Sequence, residues 1–302
     1  MSAFSQTHGM FNMFDDTINI PFDNDDQRVL PPQEMINPPS KAGSKNPLPN
    51  GILPFAIHSS INSDPYMWAF EDCKKAAKLR DQTLKSLSDK IQASETFMNV
   101  YNDVLKKYEE DDDFMKGKLL ATKAFTVGDF FIMDMNNSND PQIPSTYDNA
   151  WMLRRWYDLT IYGTYGEVDV ARAAVTPILN QIKTYFEKAT AEKPSPLKYV
   201  MYSGHDDTIA AHLRAIGYAS HDCVLNAIIT GKQEDFTTCP SHPRTSSNII
   251  WELIDDRDGI NKSWLVKVSY NGEYLDYCKN KKKDADGYSF CTLDEFYQIT
   301  QT

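Results

Sequence analysis

The stretch from Tyr199 to Gly217, Tyr-Val-Met-Tyr-Ser-Gly-His-Asp-Asp-Thr-Ile-Ala-Ala-His-Leu-Arg-Ala-Ile-Gly, constrains the fold more than any other part of the sequence. Its first four residues fit a buried strand, and Ile209, Leu213 and Ile216 then recur at helical spacing before Gly217 closes the pattern. His205, Asp206 and Asp207 therefore fall on a strand-to-helix turn. In an open α/β sheet, ligands gather beyond the carboxyl ends of the strands, where the following helix offers unpaired N–H groups to an anion. An imidazole at such a turn donates hydrogen bonds to a phosphate. A protonated carboxyl beside it can give its proton to a departing oxygen. The same residues also admit a structural role, with Asp206 or Asp207 capping the helix for about 0.5–2 kcal/mol and His205 solvated in the turn.

The rest of the chain sets the frame for that turn. With 302 residues, 41% of them hydrophobic, it can bury a large core, either as one large domain or as a core with a smaller insertion. The formal net charge of −11 disfavours a nucleic-acid or anionic-membrane partner, because a phosphate backbone would be repelled. Any phosphate chemistry must then be local. No apolar run nears the roughly 18 residues that span a bilayer, and Met-Ser-Ala-Phe-Ser-Gln at the start has neither the basic flank nor the apolar core of a signal segment.

The five cysteines are too few for a disulfide-rich composition. Cys223 and Cys239 bracket a polar loop, and Cys278 and Cys291 bracket Lys-Asn-Lys-Lys-Lys-Asp, so each pair is placed to staple a loop with little core of its own. Free cytosolic thiols are the alternative, and Cys73 has no obvious partner. No spacing matches a zinc site, and no metal or cofactor is expected. Asn136 and Asn261 begin glycosylation triplets, which are common by chance.

Eight prolines punctuate the chain before about Pro65, which reads as wrapped loop with one short strand near Leu53 to His58. Helical periodicity runs from about Asp72 to Tyr108 and again from about Tyr147 to Ala189, where Pro177 is a candidate kink. After Pro194 and the Tyr199 stretch come strands at Asn248 to Ile254 and Trp264 to Tyr270, a tight turn at Asn271-Gly272, and a short helix at Thr292 to Ile299. Strands are thus concentrated near the C-terminus. A parallel sheet needs several neighbouring strands, so the chain reads as if it starts late.

Tyr202-Ser203-Gly204-His205-Asp206 resembles the His-Asp motif of the histidine acid phosphatases, branch 2 of the histidine phosphatase superfamily. Met1-Ser2-Ala3, Gly51 to His58, Phe125 to Asp129, Ser246 to Leu253, and Cys278 through Cys291 to Phe296 are similar to further segments of that family. The resemblance implies that His205 binds phosphate and that Asp206 is the proton donor. It also implies an Arg-His-Gly motif, whose histidine is the nucleophile, and a further arginine; the sequence contains no such motif. His8-Gly9 is the nearest substitute, but Gln6-Thr7 precedes it and no strand presents it. His58 ends the expected strand, as a packed or capping histidine or as one that approaches the cleft, and His212, His221 and His242 read as structural or solvent-facing. Asp207 stands where many members carry threonine, either as a cap or as a second carboxylate that raises the pKa of one of the pair.

The expected fold is α/β: an incomplete histidine-phosphatase-like sheet flanked by helices, built from residues 1–65 and 194–302, with a helical cap over 66–193. The expected function is phosphomonoester hydrolysis through a phosphohistidine in the complete protein, this chain lacking the nucleophile. The alternative is a non-catalytic pseudophosphatase that binds phosphate or serves as a structural partner. A phosphomonoester or inorganic phosphate is the expected partner. The resemblance further implies that Cys223–Cys239 and Cys278–Cys291 are disulfides and that the full-length protein is secreted or lysosomal.

Overall fold

Helices dominate because apolar residues recur every three to four positions along most of the chain's middle. The computed structural model describes residues 73–110, 113–233, 239–244, 246–278 and 282–300. Among these, α1 (Lys74–Gln92) and α2 (Glu95–Lys107) fill the first helical block. They are separated where the Ser94 hydroxyl accepts the Phe97 N–H and caps α2. The second block is likewise two helices, α4 (Ala150–Thr164) and α5 (Val168–Thr190), and α5 runs through Pro177. Between the blocks lies α3 (Leu120–Asn137), a helix that the periodicity argument did not identify.

The core forms around α4, which packs against α1, α3 and two later helices, α6 (Asp206–Ala215) and α7 (His221–Thr230). Met152, Leu153, Trp156, Leu159 and Tyr162 of α4 are all buried, and Trp156 lies 5.2 Å from Phe97 and 5.8 Å from Tyr101 of α2 between ring centroids. Each such side chain stabilises the fold by about 1.5–3 kcal/mol. The closest approach is between α3 and α4. A methyl group at Gly128 would stand 2.7 Å from the Leu153 carbonyl oxygen and 3.1 Å from the Tyr157 nitrogen, so the missing side chain sets the spacing.

The described strands form one small antiparallel sheet. β1 (Ile249–Asp256) pairs with β2 (Ser263–Tyr270) in a register that places Trp251 opposite Val268. β3 (Glu273–Tyr274) and β4 (Cys291–Thr292) both pair with β2, and α8 (Leu293–Thr300) follows directly. Asn271 and Gly272 both adopt positive φ, 51° and 86°, as a two-residue hairpin turn of this kind requires. A second apolar cluster joins Phe186 of α5 and Phe296 of α8 to Val266 and to the Cys278–Cys291 disulfide. Mixed α/β character is present, although every strand pair among the described residues is antiparallel.

The described residues divide between two units, the first holding 199–203 and the second the described residues of 73–198 and 204–300. Residues 199–203 correct an expectation. Tyr199 to Tyr202 form no strand; Tyr199 is 48% exposed. A strand needs a neighbour for its N–H and C=O groups, and among the described residues no strand pairs with this run. The stretch after Cys223 is corrected as well, since residues 221–230 are helical rather than polar loop. The strand expected near Leu53 to His58 lies outside the described residues.

Candidate active site

His205 and Asp206 come together where expected, at the start of α6. His205 is the N-cap, in extended conformation, and its backbone N–H donates to Thr208 Oγ1 at 3.4 Å. Asp206 and Asp207 occupy the first turn, so neither is the cap residue itself. Their negative charges suit that position, because the helix N-terminus carries partial positive charge. Gly217 ends the helix at φ 79°, with the Tyr218 N–H donating to the Leu213 carbonyl at 2.9 Å.

The carboxylate of Asp206 is held on both oxygens. Oδ1 accepts the Asp207 N–H at 2.9 Å, and Oδ2 accepts the Tyr157 hydroxyl of α4 at 2.7 Å. Tyr157 is fixed in turn by stacking on Phe125 of α3, with centroids 4.6 Å apart, and by contact with the His242 ring at 4.4 Å. Burial raises the Tyr157 pKa, as do its bond to Asp206 and the charges of Asp206, Asp129 and Asp207. Its proton is therefore secure over any working pH, and Tyr157 acts as a fixed donor to Asp206.

Two further carboxylates approach this pair. Burial and then the charge of Asp206 raise the pKa of Asp207, whose Oδ1 also accepts from Thr208 Oγ1 at 3.4 Å. Asp129, on α3 beside Gly128, is raised by loss of hydration and then by Asp206, while His242 works in the opposite direction. Like charges crowded together favour keeping a proton in the group, which suits general acid chemistry. Among the described residues no arginine is one of the charges acting on Asp129, Tyr157 or Asp207.

His242, expected to be structural or solvent-facing, belongs to this cluster. Its backbone N–H donates to Asp158 Oδ1 at 3.0 Å, and its ring Nδ1 bonds the same oxygen. Asp158 Oδ2 accepts from Arg155 Nη1 at 3.0 Å, and both side chains are almost fully buried. Tyr157, Asp129 and His242 are thus site residues that the sequence reading missed. One signal was available: Arg155 and Asp158 stand at i, i+3 on a helix otherwise apolar on its packed faces, a pattern that a buried ion pair explains.

The other expectations fall as follows. Cys223 and Cys239 are disulfide-bonded, as are Cys278 and Cys291, and Cys73 is free. His8 and His58 lie outside the described residues. His212 is buried on α6 with Nδ1 2.9 Å from the Thr208 carbonyl, a structural placement. A cavity of about 360 Å³ between α1, α6 and α7, bordered by Lys90, Arg214 and His221, shares no lining residue with the His205–Asp206 turn. Among the described residues no helix is long and apolar enough to cross a membrane.

A protein of Dictyostelium discoideum described as a probable acid phosphatase is 31% identical over 121 residues, an alignment spanning 35% of this chain and 22% of that protein. The chain therefore accounts for about a fifth of the length of that relative. The model of the histidine phosphatase superfamily (branch 2) matches residues 1–271, which include the His205–Asp206 turn and every residue found around it, and the chain belongs to that family.

Proposed function

We propose that the complete protein hydrolyses phosphomonoesters, with Asp206 as the proton donor and His205 as a hydrogen-bond donor to the phosphoryl oxygens. The observation that carries this reading is the 2.7 Å bond from Tyr157 to Asp206 Oδ2, which aims a carboxyl at the mouth of a helix N-terminus beside an imidazole. In the reaction a histidine nitrogen attacks phosphorus and the ester P–O bond breaks. The leaving oxygen takes the proton from Asp206. Water then attacks the phosphohistidine, giving up a proton to the same carboxylate. The nucleophile and the arginines that neutralise the phosphate belong to an Arg-His-Gly segment that these 302 residues do not contain. Three carboxylates and two imidazoles bind a dianion poorly without such cations.

Within residues 66–193, read as a cap, Tyr157 and Asp129 are the groups supplied to the acid in this scheme. The two disulfides favour an oxidising compartment, secretory or lysosomal. A second reading is a pseudophosphatase that retains only a phosphate-binding cleft.

Replacing Asp206 by Asn separates the two. In an active enzyme the change should lower turnover of an alkyl phosphate, whose alkoxide leaves poorly, by roughly 10²–10⁴-fold, and that of a nitrophenyl phosphate far less. Equal losses on both esters would remove Asp206 from the acid role. Absence of turnover from the full-length protein, with phosphate still bound, would establish the pseudophosphatase. Turnover by these 302 residues alone that His8→Ala abolishes would make His8 the nucleophile.

A further inference from the structure

Residues 239 to 242 are tied down one by one. Cys239 is bonded to Cys223, and its carbonyl accepts from Arg155 Nη2 at 2.8 Å. The Pro240 carbonyl accepts from Arg155 Nη1 at 3.4 Å, and the Ser241 carbonyl accepts the Tyr162 hydroxyl at 2.6 Å. His242 is held twice by Asp158, through its backbone N–H and its ring Nδ1.

At the centre of this clamp is the Arg155–Asp158 pair, with side-chain exposures of 0% and 1%. An ion pair taken so completely out of water is a poor source of net stability, and its contacts are what hold residues 239 to 242 in place. The end of the clamp is the imidazole. With Nδ1 turned to Asp158, the other ring nitrogen, Nε2, faces away and makes no hydrogen bond among the described residues. The ring lies against Tyr157, which holds the Asp206 carboxyl, and both His242 and Asp206 act on the charge of Asp129.

We propose that His242 is a substrate-contacting residue whose Nε2 hydrogen-bonds a hydroxyl group on the leaving group, with Arg155 and Asp158 as positioning residues. The inference rests on the phosphatase reading, because it places the scissile oxygen at Asp206. That oxygen must lie within hydrogen-bond reach of the carboxyl that protonates it; Tyr157 bonds that carboxyl and is in ring contact with His242, so a leaving group that follows Tyr157 meets the imidazole. A hydroxyl suits Nε2 in either protonation state, accepting from an imidazolium or donating to a neutral ring. A second phosphate does not suit the place, since Asp129, Asp206 and Asp207 repel it.

The test compares glycerol 3-phosphate with n-propyl phosphate, esters on the same three-carbon chain with and without hydroxyls. Both are titrated calorimetrically into the full-length protein carrying Asp206→Asn, whose slowed turnover of alkyl phosphates lets the heat of binding be read apart from hydrolysis. Glycerol 3-phosphate should bind roughly 3–10-fold more tightly, the worth of one neutral hydrogen bond. His242→Asn, which keeps an amide donor for Asp158 but deletes Nε2, should bring the ratio close to one, and His242→Gln should recover part of it. With His242 unaltered, the same protein gives a check free of any folding defect that its replacement brings: the ¹⁵N resonance of His242 Nε2 should move with glycerol 3-phosphate and stay with n-propyl phosphate. An unmoved resonance and an unchanged ratio in His242→Asn, with His205→Ala abolishing the binding of both esters, would overturn this inference and leave the phosphatase reading intact. Failure of both esters to bind the full-length protein would overturn the inference and the phosphatase reading together.

Discussion

Asp158 receives three hydrogen bonds, one from Arg155 and two from His242, while exposing almost nothing to solvent. A carboxylate so placed depends on its partners. Truncating it as Asp158→Ala would leave the Arg155 guanidinium buried without its counter-charge, and we expect a loss of about 3–5 kcal/mol in urea unfolding. Arg155→Met combined with Asp158→Leu removes both charges and fills the space, so that double variant should recover most of the loss. Stability and His242 placement then separate. The double variant should fold and yet fail to distinguish glycerol 3-phosphate from n-propyl phosphate, because nothing turns the ring. A double variant as unstable as Asp158→Ala would show that the pair is needed for the fold itself. Tyr157 illustrates the same dependence at Asp206, where one hydroxyl from a neighbouring helix fixes a carboxyl that α6 alone would leave free to rotate.

Among the elements, the crossing of α3 and α4 does most to bring the site together, since it carries Asp129 and Phe125 on one side and Tyr157 and Asp158 on the other. Gly128→Ala measures how tight that crossing is. Alanine gains up to about 1 kcal/mol of helix propensity over glycine. Its methyl group, however, would meet the Leu153 carbonyl oxygen at 2.7 Å, a contact with rigid backbone. Overpacking of this kind costs about 1–3 kcal/mol, so the variant should be less stable overall in urea unfolding and should loosen the Phe125–Tyr157 stack. A variant as stable as the parent would mean that the helices separate at no cost. The helix that follows His205, strands β1 and β2, the Asn271-Gly272 turn and the two helical blocks were legible in the sequence because each depends on residues close together in the chain. α3 escaped because its apolar residues are not confined to one face: Val127 and Phe131 are buried beside small residues, while Phe130 and Met133 are exposed. α7 escaped because the cysteine bracket suggested a loop. The link between Asp158 and His242 spans 84 residues and leaves no local trace.

For the molecule as a whole, a reading that places it in acid makes its histidines a liability. Burial holds the His212 imidazole below its ordinary value of 6.5, with the Thr208 carbonyl pulling the other way. His221 is lowered too, by burial first, against the charge of Asp222. Below pH about 6.5 the unfolded chain takes up protons that the folded one refuses, so stability is complete above that pH and falls as the pH drops towards the folded values. For His212 the loss is up to about 1.4 kcal/mol per pH unit until its folded pKa is reached. Asp129 and Asp207 act in the opposite sense. Their folded pKa values are raised, so the native state takes up protons before the unfolded chain does, and falling pH returns stability as it passes through the raised values. Those values start from 3.8 rather than 6.5, so the histidine loss should come first as the solution is acidified. Urea unfolding measured from pH 8 to pH 4 should therefore show stability falling below about pH 6.5. His212→Asn, which retains a donor for the Thr208 carbonyl and cannot be protonated, should make that fall shallower. A flat profile in the parent, or an equally steep one in His212→Asn, would mean that the buried imidazole does not set the acid limit of the fold.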